Sequence, residues 1–161
     1  MLMTGQIVEV EVARVEEYGI HCRCDDQEVL ILIPDTSWIA SFASCKQFAA
    51  PGDRLTVKVL HVDVTRGVSA SIKALHPDPW GTGALRPGIV HKARVVRHVA
   101  KADRCHDGPA YLLELVPGGY VMLCDDGLAI DQSQPLEATV RESNFAKRSV
   151  KVVVGQGDSR T

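Results

Sequence analysis

The stretch that decides the fold runs from residue 52 to residue 75 and reads GDRLTVKVLHVDVTRGVSASIKAL. A Gly-Asp turn leads into strict alternation of apolar and polar side chains between Arg54 and Val59. Alternation with a period of two predicts a β-strand with one buried face. A break from Asp63 to Gly67 then returns the chain through a second alternating run, Val68 to Ile72, which predicts a hairpin.

The residues before this hairpin predict three more strands. The first begins at Ile7 or Val8 and ends at Val15, and Gly19 opens a second strand, in which cysteines and His21 alternate. An apolar run from Val29 to Ile33 forms a third strand, which Pro34 stops. Residues 37–50 lack alternation and predict a helical turn or two, with three aromatic side chains packing beneath the barrel end: Trp38, Phe42 and Phe48. Five strands with a short insert between the third and the fourth predict an OB-fold.

A second, weaker copy of this pattern follows a segment rich in proline and glycine. Gly88 to Val95 repeats the spacing of Gly5 to Val12, and Leu136 to Val140 repeats that of Leu55 to Val59. We therefore predict an all-β chain of two tandem OB-fold domains, each a five-stranded β-barrel, the second degenerate. Their predicted bounds are residues 1–75 and 88–154, with a linker at 76–87 and a flexible tail at 155–161.

The composition of the chain limits the classes of protein to which it can belong. The 161 residues are 45% hydrophobic and 24% charged, which is enough to bury a core. No apolar run approaches the roughly 20 residues of a membrane span, so we expect a cytoplasmic protein without a membrane partner. The net charge of −2 is uneven, because residues 1–80 hold 7 Lys/Arg against 11 Asp/Glu, whereas residues 81–161 hold 11 against 9. Five cysteines without framework spacing are expected to be reduced thiols.

The residues predict neither a catalytic site nor a cofactor. The sequence lacks a Gly-rich phosphate loop, a G-x-S-x-G motif and an H-E-x-x-H motif. A zinc site would have to draw on residues whose spacing departs from the paired C-x2–4-C pattern of structural zinc, so we expect no metal. These residues are Cys22, Cys24, Cys105, His106 and Cys124.

The first predicted domain resembles the S1 domain, the RNA-binding repeat of the largest small-subunit ribosomal protein. The resemblance covers about half of the chain, and it depends on the order and spacing of its parts rather than on one motif. The matching parts are Gly5, Val12, YGIHC at 18–22, Phe48, PGDRLTVKVLHVD at 51–63, VSASIKAL at 68–75 and DPW at 78–80.

The resemblance implies an OB-fold that holds single-stranded RNA on one sheet face. The first family aromatic falls on Tyr18, and the second falls on His21, where phenylalanine is usual. The family's histidine falls near Leu32 and is absent, whereas its hairpin Asp and Arg fall on Asp63 and Arg66. Such rings stack bases without reading their sequence.

From these residues we expect non-catalytic binding of single-stranded RNA, in translation or RNA metabolism. Basic side chains would contact phosphate, and in the second domain they would extend the track if they share a barrel face; scattered solubilising charge explains them equally well. The expected binding residues are Tyr18, His21, Arg23, Lys58, Asp63, Arg66, Arg94, Lys147 and Arg148.

The alternative is a protein-interaction module that has kept the S1-like fold and lost RNA binding, with the ribosome or another protein as partner. The acidic first half, the substituted aromatic and the missing histidine favour this alternative. RNA binding would weaken steeply with salt, whereas an apolar protein contact would not.

Overall fold

A computed structural model describes residues 2–127 and 130–154. Within these ranges the regular structure consists of ten β-strands and a few single 3-10 turns. The chain divides into two compact units. The first contains the residues up to Ser37 together with Ala43–Pro77, and the second contains Trp38–Phe42 and the chain from Asp78 onward.

The first unit is a closed five-stranded barrel. Its strands follow one another around the barrel in the order β1-β2-β3-β5-β4. The closing pair, β3 with β5, is parallel and joins Val29 to Val68 and Leu30 to Ser69, whereas the other pairs are antiparallel. The strands are β1 Ile7–Val15, β2 Gly19–Cys24, β3 Gln27–Leu32, β4 Arg54–Asp63 and β5 Gly67–Ser71.

Alternation along these strands fills the barrel. Side chains such as Ile20, Ile31 and Val57 are wholly inaccessible to solvent, and each contributes about 1.5–3 kcal/mol by leaving water. As predicted, Cys22 shares the buried face with Ile20, and the next residue along the strand, Arg23, is exposed. The period of two therefore also decides which side chains of the barrel face outward.

The insert between β3 and β4 holds two 3-10 turns, Ile33–Asp35 and Cys45–Gln47. The sequence predicts Trp38 and Phe42 beneath the first barrel, but the structure assigns both to the second unit. Their neighbour Ile39, only 1% exposed, is part of that unit's core. Alternation is lost in this segment because its apolar side chains do not belong to a strand.

The second unit is a five-stranded sheet in the order β10-β9-β6-β7-β8. This is the strand order of the first barrel cut open between its third and fifth strands. The pairing that closes the first unit is therefore not made between β8 and β10. The strands are β6 Val90–Ala102, β7 Gly108–Val116, β8 Gly119–Cys124, β9 Leu136–Asn144 and β10 Ser149–Val154.

Equivalent backbone hydrogen bonds support the internal repeat. The Gly5 amide donates to the Val59 carbonyl at 2.8 Å, and the Gly88 amide donates to the Val140 carbonyl at the same distance. Both glycines have a positive φ, 88° and 95°, which other residues adopt at a cost. The predicted all-β fold with a degenerate second copy is thus confirmed, and the degeneracy consists of an open sheet.

Part of the segment predicted as a linker is ordered in the second unit. Pro79–Gly81 forms a 3-10 turn, and Leu85 is a buried member of that unit's core. The tail predicted at 155–161 lies outside the described residues. Among the residues that are described, none of the helical segments has the length and hydropathy of a membrane span.

The prediction of reduced thiols is wrong for two of the five cysteines. Cys105 and Cys124 form a disulfide across 19 residues of sequence, whereas Cys22, Cys24 and Cys45 are free thiols. Burial raises the pKa of the Cys22 thiol to about 12 and that of the Cys45 thiol to about 11. Cys105 lies in the 3-10 turn Asp103–Cys105 before β7, and the fold brings this turn to the end of β8, a proximity that sequence spacing does not reveal.

The disulfide should stabilise the second unit. Replacing both partners (Cys105→Ser with Cys124→Ser) is expected to lower the free energy of unfolding by about 3 kcal/mol. Without the disulfide, the unfolded chain gains the conformational entropy that a closed loop of this length restricts. Both tryptophans, Trp38 and Trp80, lie in this unit, so their fluorescence in urea titrations reports on it. Cys24→Ser is the control, and an unchanged midpoint in the double variant would contradict the assignment.

Gly19 is expected to be intolerant of a methyl group. A Cβ there would lie 2.9 Å from the Ile31 carbonyl oxygen, whereas a Cβ at Gly81 would meet nothing within 4 Å. Gly19→Ala should therefore destabilise the first barrel by about 1–3 kcal/mol, and Gly81→Ala is the matched control. Hydrogen exchange of the β2 and β3 amides measures the difference; equal protection in the two variants would show that the barrel relaxes around the methyl group.

Candidate nucleic-acid interface

Tyr18 and His21 form an outward-facing pair at the start of β2. Because Ile20 and Cys22 point into the barrel, His21 points away from it. The Tyr18 hydroxyl lies 2.7 Å from Nε2 of His21, and the two rings meet edge to face with centroids 5.6 Å apart. Tyr18 is 51% exposed, so its ring is held in place and remains accessible.

The neighbours of this pair on adjacent strands are a cation and two leucines. Arg14 of β1 is the cross-strand partner of His21, and Leu30 is its partner on β3. A hydrogen bond with Tyr18, and the contact with Glu16, raise the pKa of Arg14 above its ordinary value. Leu32 is 41% exposed on the same side. A ring that stacks on this face would therefore meet apolar surface beside a guanidinium that is paired with Glu16 at 2.8 Å.

Gly19 makes this arrangement possible. The nearest atoms to a Cβ at this position would include terminal methyl groups of Leu30, at 3.2 Å, and Leu32, at 3.5 Å. Without a side chain, Gly19 lets both leucines lie over the strand beside Tyr18. Gly19 thus also shapes the surface. The β1–β2 ladder shifts register nearby, between Val12 and Arg14.

A residue that sequence reasoning missed, His61, lies in the same cross-strand row. His21 pairs with Leu30, Leu30 with Ser69, and Ser69 with His61. Strands are about 4.8 Å apart, so the two histidines are about 14 Å from each other along the sheet. His61 is exposed. A register shift between Val59 and His61 brings it to the outer face, and the alternation alone would not predict this.

Arg23 lies two residues beyond His21 on the same side of β2, but between two carboxylates. Its cross-strand partners are Glu11 on β1 and Glu28 on β3. Opposite charges on paired strands attract, so this part of the face is close to neutral or acidic. The structure therefore places Arg23 on the predicted face in surroundings that oppose phosphate.

Lys58 lies on a different part of the barrel wall. It projects outward from β4 between Ile7 of β1 and Ser71 of β5. One strand, β1, separates β4 from β2 in the barrel. The structure thus brings Tyr18 and His21 into contact, whereas Lys58 is a neighbour of neither along the strands.

Asp63 organises the turn that carries Arg66. Its Oδ1 accepts hydrogen bonds from the backbone amides of Thr65, at 2.7 Å, and Arg66, at 3.0 Å. These bonds stabilise the carboxylate and lower its pKa. Asp63 therefore holds the β4–β5 turn, and the exposed Arg66 is the cation that the turn presents.

The three RNA-binding residues predicted in the second unit lie on two different elements. Arg94 of β6 forms an ion pair with Glu114 of β7, Nη2 to Oε1, at 2.9 Å, which neutralises its charge. Lys147 and Arg148 lie in the β9–β10 turn. The Arg148 guanidinium stacks 4.3 Å from the ring centroid of Phe145, an exposed aromatic that the sequence analysis does not single out.

Two of the five residues considered for zinc cannot serve as ligands, since Cys105 and Cys124 are joined to each other. Cys22 is buried, with a pKa raised to about 12, and would resist the deprotonation that a metal requires. Within residues 2–127 and 130–154, the structure contains no group of three or more metal-ligating side chains.

Comparison with known families supports the resemblance. Residues 2–73 match the family described as "S1: S1 RNA binding domain". This range contains the whole closed barrel and the Tyr18–His21 pair, and it ends two residues after β5. The matched domain is a binding domain, and its match to the first unit supports nucleic-acid binding.

One curated relative is the polyribonucleotide nucleotidyltransferase of Streptococcus mutans, which is 37% identical over 76 residues. That alignment covers 47% of this chain but only 10% of the enzyme. The chain thus spans about a tenth of this relative's length.

Two solved structures align with about half of the chain. The solution structure of GSP13 from Bacillus subtilis is 25% identical over 48% of this chain and 62% of that one, with a TM-score of 0.43. A complex of a/eIF2alpha, aDim2p and rRNA from Pyrococcus horikoshii aligns at 17% identity over 51% of both chains, with the same TM-score of 0.43.

The family match and the closed barrel thus concern the same stretch of chain, and its order of strands is that of an OB-fold. The likeness of this chain to the S1 RNA binding domain family is thus confined to residues 2–73.

Proposed function

We propose that the first unit binds single-stranded RNA on the face that carries Tyr18 and His21, as a non-catalytic component of translation or RNA metabolism in the cytoplasm. The observation that carries the proposal is the Tyr18–His21 pair itself. Its two rings are fixed by a 2.7 Å hydrogen bond and remain open to solvent at the edge of the barrel. A fixed aromatic ring loses little entropy when it receives a base.

Each part of the face has a role in this proposal. Tyr18 stacks on a base, and His21 holds the tyrosine and contacts the next nucleotide. Leu32 supplies apolar surface in place of the family's histidine, while Arg66 attracts phosphate. The proposed path begins at Tyr18 and runs along the row from His21 to His61, and it avoids the acidic surroundings of Arg23.

A protein partner is the second candidate, and a specific observation favours it. Glu11 and Glu28 flank Arg23, and Leu30 and Leu32 replace polar surface beside Tyr18. This combination of apolar centre and acidic border would suit a basic protein, such as a ribosomal protein, and would repel phosphate. The activity of the nucleotidyltransferase relative is not part of either proposal.

Removal of the two rings tests the RNA proposal. Tyr18→Ala with His21→Ala should weaken binding of a labelled oligouridine by about 1–3 kcal/mol per lost stack. Ile7→Ala, an exposed apolar residue on β1 of the same barrel, is the matched control. Fluorescence anisotropy at low salt measures the affinity, and retention of wild-type affinity by the double variant would remove this face from the RNA site.

The salt dependence of binding separates the two candidates. On single strands, log K falls with log[salt] at a slope of about −0.7 per phosphate neutralised, so Arg66→Ala should make the slope shallower by about 0.7. Arg54→Ala is the control, because Arg54 is already paired with Glu9 at 3.3 Å. Titrations between 50 and about 300 mM salt measure both slopes; a slope that Arg66→Ala leaves unchanged would exclude a phosphate contact there.

A further inference from the structure

The second unit contains an exposed aromatic cluster that has no part in the proposed RNA face of the first unit. Phe145, in the β9–β10 turn, is 61% exposed although it contacts two other side chains. Its ring meets that of Trp80 edge to face, with centroids 5.9 Å apart, and the Arg148 guanidinium lies 4.3 Å from its centroid. Because most of its ring is exposed, burial in the core does not explain why an aromatic residue occupies this turn.

Trp80 provides a rigid wall for the cluster. Its indole Nε1–H donates to the Trp38 carbonyl at 2.7 Å, and its backbone amide donates to Asp78 at 2.9 Å. Both bonds lie within the second unit. Trp80 is therefore held at its backbone and at its ring, and Phe145 packs against it.

A small open cavity is lined by both Trp80 and Phe145. Its volume is about 250 Å³, room for roughly eight waters and for one flat heterocycle. Gly81 and Gly83 leave one side without side chains, while Arg86 and Ser143 border it with hydrogen-bond donors. Ring walls with polar groups at the rim suit a flat, polar, aromatic ligand.

The charges around this cavity favour an anion. Arg86 lines this cavity, and Lys147 and Arg148 lie in the adjoining β9–β10 turn. The nearby acids already have cationic neighbours: Asp78 is 3.8 Å from Arg148, and Glu142 is 3.9 Å from Lys151. Arg148 remains 44% exposed. A nucleotide combines an aromatic base with negative charge, and in a nucleic acid only an unstacked, single-stranded base offers its ring faces.

We propose that Trp80, Phe145 and Arg86 form a second nucleotide-binding site, which accepts one base of a single-stranded nucleic acid in the cavity while Lys147 and Arg148 contact its phosphates. The inference shares its ligand class with the proposed function and therefore rests on it in that respect. Its residues are independent of Tyr18 and His21.

The test compares variants of the full chain in binding to a fluorescein-labelled 12-nucleotide oligouridine at low salt. Phe145→Ala should weaken binding about 5- to 150-fold, the equivalent of one lost stack. Phe145→Tyr keeps a ring of the same size and should bind as wild type. Val153→Ala, a similarly exposed apolar residue of the same unit, is the matched control and should also bind as wild type.

A second readout places the ligand. In ¹⁵N-correlated NMR spectra, oligouridine should shift the indole N–H signal of Trp80, assigned through Trp80→Phe, and Phe145→Ala should remove that shift. Unchanged affinity of Phe145→Ala together with an unmoved Trp80 signal would overturn the site, and an equal loss in Val153→Ala would show that the loss is unspecific.

The outcomes separate this site from the proposed function. If Tyr18→Ala with His21→Ala abolishes binding and Phe145→Ala does not, the second site is wrong and the first stands. If the reverse holds, RNA binds the second unit alone and the proposed function of the first barrel fails. If the wild-type chain does not bind oligouridine, both proposals fail.

Discussion

The parallel pairing of β3 with β5 is the constraint on which the first unit depends. Two residue pairs, Val29 with Val68 and Leu30 with Ser69, close the sheet into a barrel and so leave no unpaired strand edge. Closure fixes which face of every strand is inside, and hence sends His21 and Arg23 outward from β2. It also aligns the row that contains His21, Leu30, Ser69 and His61. The proposed RNA face is therefore a consequence of how the barrel closes.

The second unit shows what remains when this pairing is absent. Its strands keep the same order, and Gly88 repeats the hydrogen bond of Gly5, but β8 and β10 are not joined. A disulfide between Cys105 and Cys124 supplies a covalent constraint at the end of β8, next to the open edge. Phe145, Lys147 and Arg148 of this unit lie in the β9–β10 turn, where Phe145 contacts Trp80. The two units thus share a topology and differ in where a ligand could stack.

The charges of neighbouring side chains decide which of the predicted basic residues could contact phosphate. Arg94 is held by Glu114, and Arg23 lies between Glu11 and Glu28. Arg66 and Lys147 instead lie in exposed turns, where an aspartate or an asparagine organises the backbone. A basic residue in the sequence is therefore a useful phosphate contact only when its cross-strand neighbours leave its charge uncompensated. This distinction requires the register of the strands.

Strand alternation, turn residues and the order of apolar runs were sufficient to predict an all-β chain, the first barrel, its repeat and the outward direction of His21, because a period of two depends only on local backbone geometry. Tertiary structure decided the remainder. A register shift placed His61 on the outer face, and long-range packing placed Ile39 and its neighbours in the second unit. The fold also brought the turn that holds Cys105 beside Cys124. These features depend on contacts between residues far apart in the chain, and the energies of such contacts are not encoded in any local pattern.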